Sequence, residues 1–204
     1  MKGIKKGIVA VLILVSWVSF SQDTGDFNFG VFGGASVSNI VSAQDLIDSN
    51  LRLGFNGGVA GNYHFSELWS LEMDLFYNQN GRVIDKLSSN DSQISRTLTL
   101  HYVTLAVLPN YHFGQNTNWY FKAGPYIGFL VGANQGTAQV KEEFTSNDLG
   151  LTGGFGYEFS LSESGNSILF IELVHQLGLS NIVEDNINED IRNSRSSINL
   201  GIEL

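Results

Sequence analysis

No cysteine occurs among the 204 residues, and only 15% of them are charged. Lacking thiols, an exported chain forms no disulfide staple and offers no cysteine for a lipid anchor. The charged fraction lies well below the roughly 25% usual in soluble domains. Cations are the scarcer sign, with 11 Lys and Arg against 20 Asp and Glu and a formal charge of −9. Binding to phosphate backbones needs clustered Lys and Arg, so nucleic acid is excluded as a partner. Long apolar runs are missing as well. The one apolar stretch, residues 8–18, falls short of the ~20 residues that a spanning helix needs.

That stretch has the layout of an export signal. Lys2, Lys5 and Lys6 form a positive head, and Ser19-Phe20-Ser21 gives a small-x-small cleavage site before Gln22. The reading is a cleavable signal peptide over residues 1–21 and one β-barrel domain over 22–204. Glycine, in contrast, is plentiful at 23 residues, and aromatics reach 12%. That composition suits many short strands better than helices.

From residue 26 onward the dominant period is two. Trp69, Leu71, Met73, Leu75 and Tyr77 alternate with Ser70, Glu72, Asp74 and Phe76. Such alternation puts one row of side chains on each face of a strand. The pattern recurs and predicts eight strands, over residues 27–37, 51–65, 69–77, 103–113, 119–131, 149–159, 169–179 and 198–204. Long polar connections at 38–50, 80–96, 133–147 and 180–196 alternate with short ones near 66–68, 114–118 and 160–167. Short periplasmic turns and long extracellular loops are the outer-membrane arrangement.

Aromatic residues of the apolar rows gather beside the short turns: Phe27, Phe29, Tyr63, Phe65, Trp69, Tyr111, Phe113, Trp119, Phe121, Tyr157 and Phe159. A girdle at a membrane interface selects such rings, whereas a soluble barrel has no reason to collect them at one end. The fold class expected is all-β: an eight-stranded antiparallel up-and-down transmembrane β-barrel, integral to a bacterial outer membrane. Lipid offers no hydrogen-bond partners, so only a closed sheet satisfies every strand. Apolar rows then face outward and polar rows inward.

The inward polar set is Glu72, Asp74, Glu158, Glu172 and Glu203, with Lys122 the cation at their level and Arg52 near the other end. It reads either as an ion-pair and hydrogen-bond network filling the barrel or as a cation-attracting lumen. Eight strands leave an interior that side chains can fill, which favours the network. Inward glycines, Gly124, Gly154 and Gly156 among them, leave room for Phe32, Tyr120 and Tyr126.

Nothing in the sequence asks for catalysis, a cofactor or a metal. His64, His112, His101 and His175 lack ligand spacing. His175 faces lipid, but the residue two positions on is Leu177, not serine. Gly33-Gly34 and Gly153-Gly154-Phe155-Gly156 open no helix and so cradle no phosphate. The acidic run 184–190 lacks the glycine and the spacing of a calcium loop. Pro109 and Pro125 fall in mid-strand without an N–H, which predicts bulges or a locally broken ladder.

Gly124-Pro125-Tyr126-Ile127-Gly128, Gly154-Phe155-Gly156-Tyr157-Glu158 and Gly178-Leu179-Ser180-Asn181-Ile182 carry a resemblance. Together with residues 102–113, they resemble the PorT-like outer-membrane β-barrel family common in Bacteroidota. The resemblance spans essentially the whole mature chain through strand and turn signatures. Family members often have Glu, Pro and Lys where this chain has Thr104, Ala106 and Asn110, and an aromatic residue where it ends in Leu204. The resemblance implies fold and location. The function expected is non-catalytic: structure, interaction or adhesion through surface loops. A narrow cation-preferring channel or an accessory barrel of a secretion system are the alternatives, and a lipid hydrolase ranks last. Expected partners are outer-membrane lipid and other envelope proteins; oligomeric state is left open.

Overall fold

The computed structural model describes residues 25, 27–42, 51–87, 93–161, 167–183 and 190–204. The expected signal peptide lies outside the described residues, as does the acidic run 184–190 except for Asp190.

Eight long strands form the molecule: β1 (Phe27–Ser42), β2 (Arg52–His64), β3 (Trp69–Leu87), β4 (Gln93–Phe113), β5 (Trp119–Gln135), β6 (Asn147–Ser160), β7 (Ile168–Gly178) and β8 (Ile191–Glu203). Each pairs antiparallel with its neighbours in sequence, and β8 pairs with β1, so the sheet closes. Ala138–Gln139 adds a two-residue arm folded back on β5, followed by a 3-10 turn at Lys141–Glu143. Following the registers once round, Asn78 leads through Asn56, Gly34, Asn199, Glu172, Gly156, Tyr120 and His112 to Leu68. A stagger from residue 78 to residue 68 over eight strands tilts them by about 40°.

The alternation settles which way the rows face. Leu71, Met73 and Leu75 are 40–53% exposed, whereas Ser70, Glu72 and Asp74 are at most 5% exposed. The same inversion holds round the wall, with Phe29, Leu53, Phe121, Leu173 and Leu200 outward. Asn62, Asn78, Asn110, Lys122 and Asn199 are buried inside. A water-soluble barrel would have these faces exchanged.

The strands run further toward the long loops than hydrophobic period predicts. The segment 80–96, read as a loop, is mostly the far ends of β3 and β4, paired from Asn80↔Leu100 to Leu87↔Gln93. β8 starts at Ile191 rather than residue 198, so residues 191–196 of the expected last loop are strand. These extensions mix polar and apolar residues on both faces, with Val83 and Ile84 side by side, so the period of two that marked the rest fades there.

The prolines behave as a pair. The β4–β5 ladder stops between Ala106↔Tyr126 and Asn110↔Lys122 and resumes in the same register. On their other sides Pro109 pairs with Leu71 and Pro125 with Leu151, and both ladders run on. The two missing donors therefore fall on one seam, and two strands share a single interruption. The bulge lies elsewhere, at His101/Tyr102. It turns Asn134 to the outer face, where its Nδ2 lies 3.2 Å from His101 Nε2. Amide hydrogen exchange followed by mass spectrometry should show Val107, Leu108, Ala123 and Gly124 exchanging ahead of the rest of both strands. Equal protection along the seam would mean that the ladder is intact.

Candidate functional site

Inside the barrel the sequence-predicted residues converge on Lys122. Its Nζ lies 2.6 Å from Glu72 Oε1, 2.6 Å from Glu172 Oε2 and 3.9 Å from Asp74 Oδ2. The carboxylates have further donors. Asn110 Nδ2 donates to Glu72 Oε2 at 2.7 Å, Tyr120 OH to Glu172 Oε2 at 2.8 Å, and Asn199 Nδ2 to Glu172 Oε1 at 2.8 Å. Strands β3, β4, β5, β7 and β8 thus meet on one cation. Glycine makes the room: a Cβ on Gly156 would collide with the Tyr120 ring, so any larger residue would displace the hydroxyl that holds Glu172.

Glu158 and Glu203 lie nearer the short turns. Glu158 Oε1 is 3.9 Å from His112 Nδ1, and His112 Nε2 is 3.0 Å from Ser70 Oγ. Serine, histidine and carboxylate in that order suggest a hydrolytic triad, but Ser70 is 0% exposed and no substrate reaches it. His64 and His112 do come together, with ring centroids 5.2 Å apart. Among the described residues no group of three or more metal-binding side chains is assembled.

Above the Lys122 layer the interior is apolar and then polar again. Phe76, Ala106, Leu108 and Tyr126 pack together with Phe32 against them. The space lined by Phe32, Asn56, Asp74, Phe76 and Arg195 amounts to about 10 Å³, room for about one water. Asp148 Oδ2 accepts from Tyr126 OH at 3.1 Å and from Asn193 Nδ2 at 2.9 Å. Toward the loops, Ile40, Leu98, Leu100, Tyr102, Leu130, Ala133 and Ile182 form an apolar cap, with Phe144 and Val183 against it.

Two cations depart from the expected picture. Arg195, in the part of β8 read as loop, is buried inside, 5.4 Å from the Phe76 ring centroid, and donates to Gln176 Oε1 at 2.8 Å. Arg52 does not join the lumen set. Its Nε donates to Thr99 Oγ1 at 3.0 Å and its Nη2 to Gln79 Oε1 at 3.1 Å. Pairing of β3 with β2 ends at Asn56↔Asn78, and the arginine crosses the gap beyond.

On the outer wall, the aromatic residues predicted to form a girdle stand in neighbouring registers at the short-turn end. Trp69 pairs with Tyr111, Tyr111 with Phe121, Phe113 with Trp119, Trp119 with Tyr157 and Phe27 with Tyr63. Trp69 and Tyr111 have ring centroids 5.0 Å apart, Trp119 and Tyr157 4.7 Å, Tyr157 and Phe159 4.6 Å. Phe65, 51% exposed, continues the row at the turn after β2. Sequence spacing missed two polar pairs on this wall. Tyr77 OH is hydrogen-bonded to His101 Nδ1, and His175 Nδ1 lies 2.9 Å from Ser196 Oγ. In each pair the partner is on the adjacent strand, where no count along the chain finds it.

A closed eight-stranded barrel with an apolar outside and a charged, buried inside is the architecture of a bacterial outer-membrane protein, and a family comparison agrees. Residues 20–184 match the model of the outer membrane protein beta-barrel domain. The chain belongs to that family. It is an integral outer-membrane barrel. Neisserial surface protein A has a similar structure, with a TM-score of 0.53 at 12% identity, over 89% of this chain and 100% of that one. OprG of Pseudomonas aeruginosa gives 0.49 at 14% identity, over 91% and 99%. Ail, the attachment invasion locus protein of Yersinia pestis, solved with a heparin analogue, gives 0.46 at 14%, over 88% and 99%. No curated protein matches in sequence.

Proposed function

We propose that the chain is a PorT-like barrel of the Bacteroidota type, exported by a signal peptide over residues 1–21, that acts at the cell surface without catalysis and without conducting solutes. Its short turns face the periplasm, with the aromatic girdle at that membrane boundary, and its long loops face outward. The observation that carries this reading is the filled interior. The Lys122 layer, the Phe32–Phe76–Tyr126 layer and the cap round Ile182 succeed one another along the axis. A channel needs a continuous wet path, and the space between the first two layers has room for about one water, not for a file of them.

The interaction surface is the ribbon that β3 and β4 extend past their neighbours. β3 has no further pair with β2 beyond Asn78, and the β4–β5 ladder ends at Leu98↔Gln135. Among the described residues, 83–87 and 93–96 therefore pair only with each other and leave backbone edges on both sides. An open edge of this kind accepts a strand from a partner protein through main-chain hydrogen bonds.

Planar-bilayer recording from the purified barrel tests the reading. The expected record is flat. Stable single-channel steps that change when Glu72 and Glu172 are both replaced by Gln would overturn it in favour of a cation pathway.

A further inference from the structure

A polar side chain that faces hydrocarbon is costly, and where one persists it marks a use. His175 interrupts the outward row of β7 between Leu173 and Leu177, and its partner Ser196 stands directly opposite on β8. Whichever tautomer His175 adopts, the pair keeps a donor to spare. If Nδ1–H donates to Ser196 Oγ, the hydroxyl proton is free; if the hydroxyl donates to Nδ1, the Nε2–H is free. In the membrane the acceptors available to that donor are the oxygens of the lipid itself.

The surroundings have the polarity of a lipid. Along β8 the outward row runs Ile202, Leu200 and Ile198, then Ser196, Ser194 and Arg192 toward the loops. Below the pair lies an apolar groove of about 730 Å³ lined by Trp119, Phe155, Tyr157, Phe159, Leu173 and Ile198. Phe155, Leu173 and Ile198 are the outward residues one step below Gly153, His175 and Ser196 on three adjacent strands. Gly153, opposite His175, keeps the wall low there, because a Cβ would find only Lys122 O at 3.5 Å and Ala123 Cβ at 3.8 Å.

We propose that this strip seats one phosphate-bearing lipid of the outer leaflet. An acyl chain runs down over Leu173 and Ile198 into the head of the groove, an ester carbonyl accepts the spare donor of His175–Ser196, and the phosphate is met by Arg192, whose Nη2 also donates to Asp190 Oδ2 at 2.8 Å. The assignment rests on the long loops facing outward, which puts the apolar groove beneath the polar end.

Native mass spectrometry of the full chain in detergent tests it, with dioleoylphosphatidylglycerol as the charged probe and dioleoylglycerol as the uncharged one. One phosphatidylglycerol should bind ahead of all others. The double variant His175→Leu, Ser196→Val should weaken both probes by about tenfold, as loss of one hydrogen bond implies. Arg192→Gln should weaken the charged probe alone. Equal, graded binding to wild type and variants, the mark of ordinary annular lipid, would overturn the proposal. So would release of oleic acid that Ser196→Ala abolishes, since the pair would then be a nucleophile and its base. Labelling of Lys141 on intact cells reports orientation separately, and variants that keep heat-modifiable gel migration have kept the barrel.

Discussion

Replacing Lys122 by Met is expected to be the most damaging single change in the interior, costing about 3–5 kcal/mol of stability. Glu72 and Glu172 each hold Lys122 Nζ at 2.6 Å, and both are at most 5% exposed. Methionine fills a similar volume, so packing is not what is lost. Two carboxylates stay enclosed beside Asp74 with the positive charge gone, and their amide and hydroxyl donors do not replace it. Most of the cost is that uncompensated charge, which makes a specific rescue possible. Adding Glu72→Gln and Glu172→Gln to Lys122→Met should recover much of the loss, because a neutral network of the same shape needs no counter-ion. Urea unfolding in detergent or lipid, read by gel migration of unheated samples, gives the midpoints. If Lys122→Met alone leaves the midpoint unchanged, water reaches the site and the interior is not the dry plug that the geometry describes.

How much of this was legible in the sequence depended on whether a residue's neighbours lay along its own strand. Rows such as Trp69–Tyr77 declare a strand and its two faces, so the barrel, its strand number and its lumen residues could be read from period two. Lys122, Glu72 and Glu172 were nameable for that reason, although their mutual distances were not. Arg195 was missed because residues 192–196 are polar on alternate and intervening positions alike, so no apolar row announces the strand there. Tyr77–His101 and His175–Ser196 were missed for another reason: cross-strand partners are set by register, and register is fixed by turns, bulges and closure. The bulge at His101/Tyr102 shows the limit. One extra residue turns Asn134, in a segment read as loop, to the outer face. Two prolines at 109 and 125, which looked like two separate defects, became one interruption once β4 and β5 lay side by side.

Depth should govern the cost of a charge on the outer wall, and the second large effect follows from that. Leu75 stands outward midway along the membrane part of β3, 50% exposed, and Leu53 outward at the loop end of β2, 79% exposed. Leu75→Arg puts a guanidinium where neither water nor headgroup lies within easy reach and is expected to cost about 2–4 kcal/mol. Leu53→Arg lies near the interface and should cost about 0–1 kcal/mol. Both side chains are exposed on the bare barrel, so a water-soluble protein would accept either arginine at almost no cost. The difference between the two variants therefore measures the surrounding medium. Unfolding titrations in lipid vesicles, where the band has a defined thickness, supply it directly. Equal and small effects at both positions would contradict a hydrocarbon surround. A large effect at Leu53 with none at Leu75 would mean that the band sits higher on the wall, level with Arg192 and the His101 cluster, and the barrel would have to be moved down in the membrane accordingly.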